Sequence, residues 1–341
     1  MMDHRPTTNR RHSRRMPLDG GLFRPPEPLF PLTWNHSMKA RLMKSETRLI
    51  SLPAFVLMSL VVPDIGVCNL PSEDRPSGVP ESAEPLSGWK AKDIGAWRDG
   101  DYLFLILGKE PTDGLVKIPR LACVIRRIHW LDDPDMELKL QPEPAVWVIK
   151  AEPSSKIEAS SGSRLVLLLT LDAPARVFDE NIVCVPNADG IIVLAAKNAM
   201  THGETLRFEP QPHKNTVGYW SNESDFAEWH FNLKAAGKHE IDILQGCGKG
   251  HGGSKVSCKT ESGTLEFQVQ ETGHFQNFIW RTIGTLELND TEHSSLSLIP
   301  VHKSAGAVMD VRAVRIVPVG TERSFESELA DPDSLPAEKR P

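Results

Sequence analysis

From Trp89 to about residue 319 the chain is a succession of short apolar runs, each ended by turn-forming residues after roughly ten positions. No stretch sustains the i, i+3, i+4, i+7 spacing of a buried helix face. The runs fall at 102–107, 115–118, 124–130, 146–149 and 164–171, then at 239–245, 255–259, 264–269, 278–283, 295–299 and 308–318. Between the two groups, Trp229, Phe231 and Leu233 alternate with Glu228, His230 and Asn232. That period of two marks a strand with one dry face. The texture predicts an all-β protein of two tandem antiparallel domains, each a β-sandwich or barrel, at 89–175 and 188–319, with a linker at 176–187.

The first 88 residues read differently. Residues 1–42 are basic and Pro-rich with no apolar periodicity, so they are expected to be a disordered or misassigned extension, with translation starting near Met43. Lys44 and Arg48 then precede a 14-residue apolar run at 49–62. A bilayer core needs about 20 residues, so 43–68 reads as a secretory signal ending at Cys68, not as a transmembrane span. A polar, Pro-rich linker at 69–88 follows, and 320–341 reads as a disordered acidic tail. The expected location is outside the cell, in the periplasm or at the cell surface. The net charge is −6, but residues 1–48 carry +6 and the remainder −12. An acidic body excludes nucleic acid, whose phosphates need a basic face.

Five cysteines are too few for a disulfide scaffold. Gly-rich 246–254 is not a phosphate loop, because Gly250 rather than Ser or Thr follows Lys249. Cys247, His251 and Cys258 lack a fourth zinc ligand nearby, so no metal is assigned. In an exported chain Cys247 and Cys258, flanking one loop, are expected to form a disulfide. Cys123 and Cys184 sit in apolar strands and read as core. Asp132, Asp133 and Asp135 lie in a Pro-bearing turn and read as turn chemistry, and no catalytic residue is assigned.

Exposed aromatic rings beside convergent polar groups are candidates for ligand contact. The stacking candidates are Trp220, Trp229, Trp280, Tyr219, Phe275 and Phe278. Trp229 lies on the dry face of its strand and reads as core. Trp220 precedes a polar Ser-Asn-Glu-Ser loop and reads as exposed. The expected binding face is therefore Trp220 with Asn222 and Asp225, the Gly-rich loop with His251, and Arg281.

Residues 98–107 (Arg-Asp-Gly-Asp-Tyr-Leu-Phe-Leu-Ile-Leu), 114–121, 124–131 and 164–171 resemble the carboxy-terminal β-sandwich of family 29 α-L-fucosidases. Residues 218–229 (Gly-Tyr-Trp-Ser-Asn-Glu-Ser-Asp-Phe-Ala-Glu-Trp), 236–241, 252–256, 271–276 and 307–316 are similar to carbohydrate-binding modules with the galactose-binding-like jelly roll. The fucosidase catalytic part is a barrel of about 250 residues, and only 88 residues precede Trp89, so no catalytic residue is carried over. The resemblance implies a secreted, non-catalytic accessory protein with an oligosaccharide or polysaccharide as partner. One alternative is the detached end of an α-L-fucosidase, a glycoside hydrolase whose catalytic chain is encoded separately. Another is a protein-interaction module. No cofactor is expected: of the carboxylates that hold structural Ca²⁺ in such modules, only Asp310 has a counterpart, while Ala195 and Lys197 replace the others.

Overall fold

The computed structural model describes Arg75 and residues 78–154, 165–289, 293–326 and 328. The expected extension at 1–42, the signal at 43–68 and Cys68 lie outside these residues. Among the described residues every regular element is a strand apart from a single 3-10 turn at Ala196–Asn198. None of them forms a helix long and apolar enough to cross a membrane.

The first sandwich pairs β1 (Glu84–Pro85), β2 (Ile94–Asp99), β3 (Tyr102–Leu107), β9 (Leu165–Leu171), β5 (Ile125–Trp130) and β6 (Asp133–Glu137) in that spatial order. Its second sheet is β4 (Leu115–Pro119), β8 (Val146–Lys150) and β7 (Lys139–Pro142). Strand β3 is buried on both faces, which explains its unbroken apolar sequence. Leu103, Leu105 and Leu107 enter the main core, whereas Phe104 and Ile106 pack with Trp97, Val166, Val79 and Ala83 on the other side. The covering residues Val79 and Ala83, together with β1, come from 78–88. That part of the expected linker is therefore integral to the sandwich, because apolar Phe104 and Ile106 need a cover.

The second sandwich has one sheet of β10 (Val183–Cys184), β15 (Phe226–Phe231), β20 (Ser294–His302), β17 (Lys255–Thr260) and β18 (Gly263–Gln268), with β12 (Met200–His202) also on β15. The facing sheet is β13 (Arg207–Glu209), β14 (Thr216–Gly218), β21 (Asp310–Pro318), β16 (Gly237–Gly246) and β19 (Ile279–Leu288), with β11 (Ile192–Ala195) also on β21. All pairs are antiparallel except β10 with β15. Along β15, Ala227, Trp229 and Phe231 are inaccessible while Phe226, Glu228 and His230 are half-exposed, as the alternation predicts.

The segment between the sandwiches is stapled to both. Phe178 N–H donates to Arg120 O at 2.9 Å, and β10 extends the second domain's sheet. Across the junction Trp147 and Phe208 lie 6.2 Å apart, and the Arg120 guanidinium sits 3.9 Å from the Phe178 ring centre. Burial lowers Arg120 to about 9. One continuous core runs through both sandwiches.

Candidate functional site

The loop 219–225 was expected to present Trp220 outward, and it does the reverse. Trp220 is fully buried, donates Nε1–H to the Asp225 carbonyl at 2.9 Å, and its own carbonyl accepts from Val308 N–H at 2.9 Å. The Asp225 carboxylate is buried too. It accepts from the backbone N–H groups of Glu204, Thr205 and Leu206 at 3.0, 2.8 and 2.9 Å and from the Thr205 hydroxyl at 2.8 Å. Burial pushes this carboxyl up, but the hydrogen bonds outweigh it and leave it below the usual carboxylate range. Asn222 closes a local turn, its Oδ1 accepting from Ser224 N–H at 3.1 Å and Ser224 Oγ at 3.0 Å. Trp220, Asn222 and Asp225 thus hold the loop together and form no open face.

The other expected residues are corrected in part. Arg281 on β19 donates Nε–H to Gln245 Oε1 of its own sheet at 2.8 Å and Nη2–H to the Gln268 carbonyl of β18 in the facing sheet at 2.5 Å, and burial lowers its pKa. Cys247 and Cys258 are free, buried thiols. Cys258 belongs to β17 in one sheet, while Cys247 directly follows β16 in the other. Burial raises Cys247 to about 11 and Cys258 to about 12. Of the remaining rings, Phe278 is buried beneath Arg312, and Trp280 lies beneath Arg315 with centroid distances of 3.9 and 4.1 Å.

Two aromatic rings and His251 remain at the loop end. Tyr219 is 57% exposed, and its backbone φ is +60°, the left-handed region that a bulky side chain seldom enters. That one dihedral turns the chain so that Tyr219 points out and Trp220 points in. The Arg207 guanidinium lies 3.7 Å from the Tyr219 ring centre and backs the ring. Beside Tyr219, Gly218 touches Asp310 and Glu209: a Cβ there would lie 2.9 Å from Asp310 Oδ1 and 3.0 Å from Glu209 Oε2. Lys214 pairs with Glu209 at 2.5 Å.

Phe275 is half-buried and meets His251 edge-on, the centroids 5.2 Å apart. His251 Nδ1 accepts from Ala307 N–H at 3.2 Å, so Nε2 carries the ring proton. The sheet order explains how these loops converge. Tyr219 follows β14, which neighbours β21, which neighbours β16, and β16 ends at Gly246 against the Phe275 carbonyl. Two strand spacings of about 4.8 Å each therefore separate Tyr219 from the Phe275 side. Lys249 is exposed on the same Gly-rich loop. The sequence named Tyr219 and Phe275 as stacking candidates but ranked Trp220 above them.

Where Ca²⁺ would be sought, the Ala195 carbonyl accepts from Trp229 Nε1–H at 2.9 Å and Lys197 Nζ pairs with Asp172 at 3.0 Å. Among the described residues no three His, Cys, Asp or Glu side chains are grouped to hold a metal.

The strand pairing defines a tandem β-sandwich protein. No family model matches the chain, and no curated protein matches it. Among solved structures it is similar to the α-L-fucosidase from Vibrio sp. strain EJY3, at 11% identity and TM-score 0.28, over 67% of this chain and 40% of that one. It is also similar to the C-terminal CBM6 of the marine laminarinase LamC from Zobellia galactanivorans, at 19% identity and TM-score 0.31, over 38% of this chain and 99% of that one. A family 35 carbohydrate-binding module from Clostridium thermocellum matches at 13% identity and TM-score 0.30, over 37% and 96% of the two chains. The chain thus spans 40% of the length of the fucosidase.

Proposed function

We propose that this is a secreted, non-catalytic carbohydrate-binding accessory protein whose second sandwich takes an oligosaccharide at the loop end bearing Tyr219, Phe275 and His251. The observation that carries the reading is Tyr219, a large ring held in solvent on left-handed backbone and backed by a guanidinium. One face of the ring is backed by Arg207, and a pyranose has an apolar face to lay on what stays open. His251 Nε2–H and Lys249 supply hydrogen-bond donors beside the rings.

The test is glycan binding by the full chain on an array of oligosaccharides, followed by affinity for the best ligand. Tyr219→Ala should weaken that affinity about five- to thirtyfold, the equivalent of burying one ring face. A folded Tyr219→Ala protein that binds as tightly as the wild type, or a wild-type chain that binds no glycan, overturns the proposal.

A further inference from the structure

Residues 321–326 and Glu328, which composition alone would leave as part of a tail, are fastened to the sandwich at two points. At the front Arg323 forms a forked contact with Asp242, Nε to Oδ2 at 3.0 Å and Nη2 to Oδ1 at 3.0 Å, and pairs with Glu240 at 2.5 Å. Ser324 O accepts from Arg315 Nη1 at 3.0 Å. At the far end Glu328 exchanges two backbone hydrogen bonds with Phe278, at 3.0 and 2.9 Å, and its carboxylate pairs with Arg312 at 2.5 Å.

What Glu328 touches leads to both rings of the candidate site. Phe278 lies three residues from Phe275, and its ring packs beside Gly246, the residue against which the Phe275 carbonyl is seated. Arg312 stacks on Phe278 and donates to the carbonyls of His213 and Lys214 at 3.0 and 2.7 Å. Lys214 in turn pairs with Glu209, which abuts Gly218 next to Tyr219. We infer that this segment is a positioning strap for the binding end, with Glu328 as the residue that fixes the Phe275 loop and the Lys214–Glu209 support of Tyr219 together. Arg323 is the anchor that brings Glu328 there. The inference rests on the proposed site, because the strap touches no ligand itself.

The test uses the full chain with Glu328→Ala and with Arg323→Ala/Glu328→Ala, read by amide hydrogen exchange and by glycan affinity. Exchange at 271–278 and 211–218 should accelerate about two- to fivefold in Glu328→Ala and more in the double variant, with β15 unchanged. Glu328→Gln, which keeps an acceptor for Arg312, should restore most of the protection. Affinity should fall in parallel, while Tyr219→Ala lowers affinity and leaves exchange at 271–278 as it is. Wild-type exchange at both segments in Glu328→Ala overturns the strap, and so does acceleration spread equally over β15. Should the double variant fail to fold, the single variant at this exposed position decides. Should the wild-type chain bind no glycan, the proposed function falls and the exchange measurement still judges the strap.

Discussion

Trp220 donates its indole N–H to the carbonyl of Asp225 at 2.9 Å, and neither side chain reaches solvent. A tryptophan in that position works as a core residue. Trp220→Ala should cost about 3–5 kcal/mol, as should Trp229→Ala, since each leaves a ring-sized void. Denaturant unfolding of the two variants checks this. Unfolding of Trp220→Ala at the wild-type midpoint would contradict it.

Tyr219 separates folding from binding. With φ at +60°, the residue sits where an L side chain costs about 1–2 kcal/mol. Tyr219→Gly should therefore melt at or above the wild-type temperature, offset in part by the lost Arg207 stacking, while glycan affinity falls. A melting curve and a binding isotherm on the same preparation give both numbers.

Acid should undo the loop around Trp220. Asp225 is held below the usual carboxylate range by backbone donors that overcome its burial. A carboxyl with a depressed folded pKa contributes stability above its unfolded value of about 3.9, and that contribution is lost as pH falls through the folded value. Asp242, held low against burial by Arg323, Thr282 and Arg315, adds in the same direction. Urea unfolding from pH 7 to pH 3 should show stability dropping below about pH 4. Asp225→Asn should be less stable at pH 7 and show a shallower acid slope.

The four cysteines among the described residues should be silent in the native state. Cys123, Cys184, Cys247 and Cys258 are buried free thiols, and burial lifts Cys123 and Cys258 to about 12. A thiol reagent should label them only after denaturation, and a reductant should leave the melting temperature unchanged. A Cys247–Cys258 crosslink in peptide mapping of the native protein would contradict this.

The all-β class and most strands were legible in the sequence because side-chain alternation and turn residues are local signals. Trp229, Phe231 and Leu233 declare their dry face from spacing alone, and β16, β17, β20 and β21 fall where the apolar runs lie. Local pattern also brought Tyr219 and Phe275 onto the short roll of candidate rings. It did not rank them. Whether Trp220 or Tyr219 faces solvent turns on one left-handed φ, imposed when Val308 binds the Trp220 carbonyl and Asp225 gathers the amides of 204–206 from distant parts of the chain. Likewise the polar composition of 78–88 and 320–328 reads as linker and tail. Only the assembled sheets create the apolar Phe104 face and the Asp242 carboxylate that these segments cover. Alternation along the chain records which side of a strand is dry; which distant segment completes each face is decided by tertiary packing.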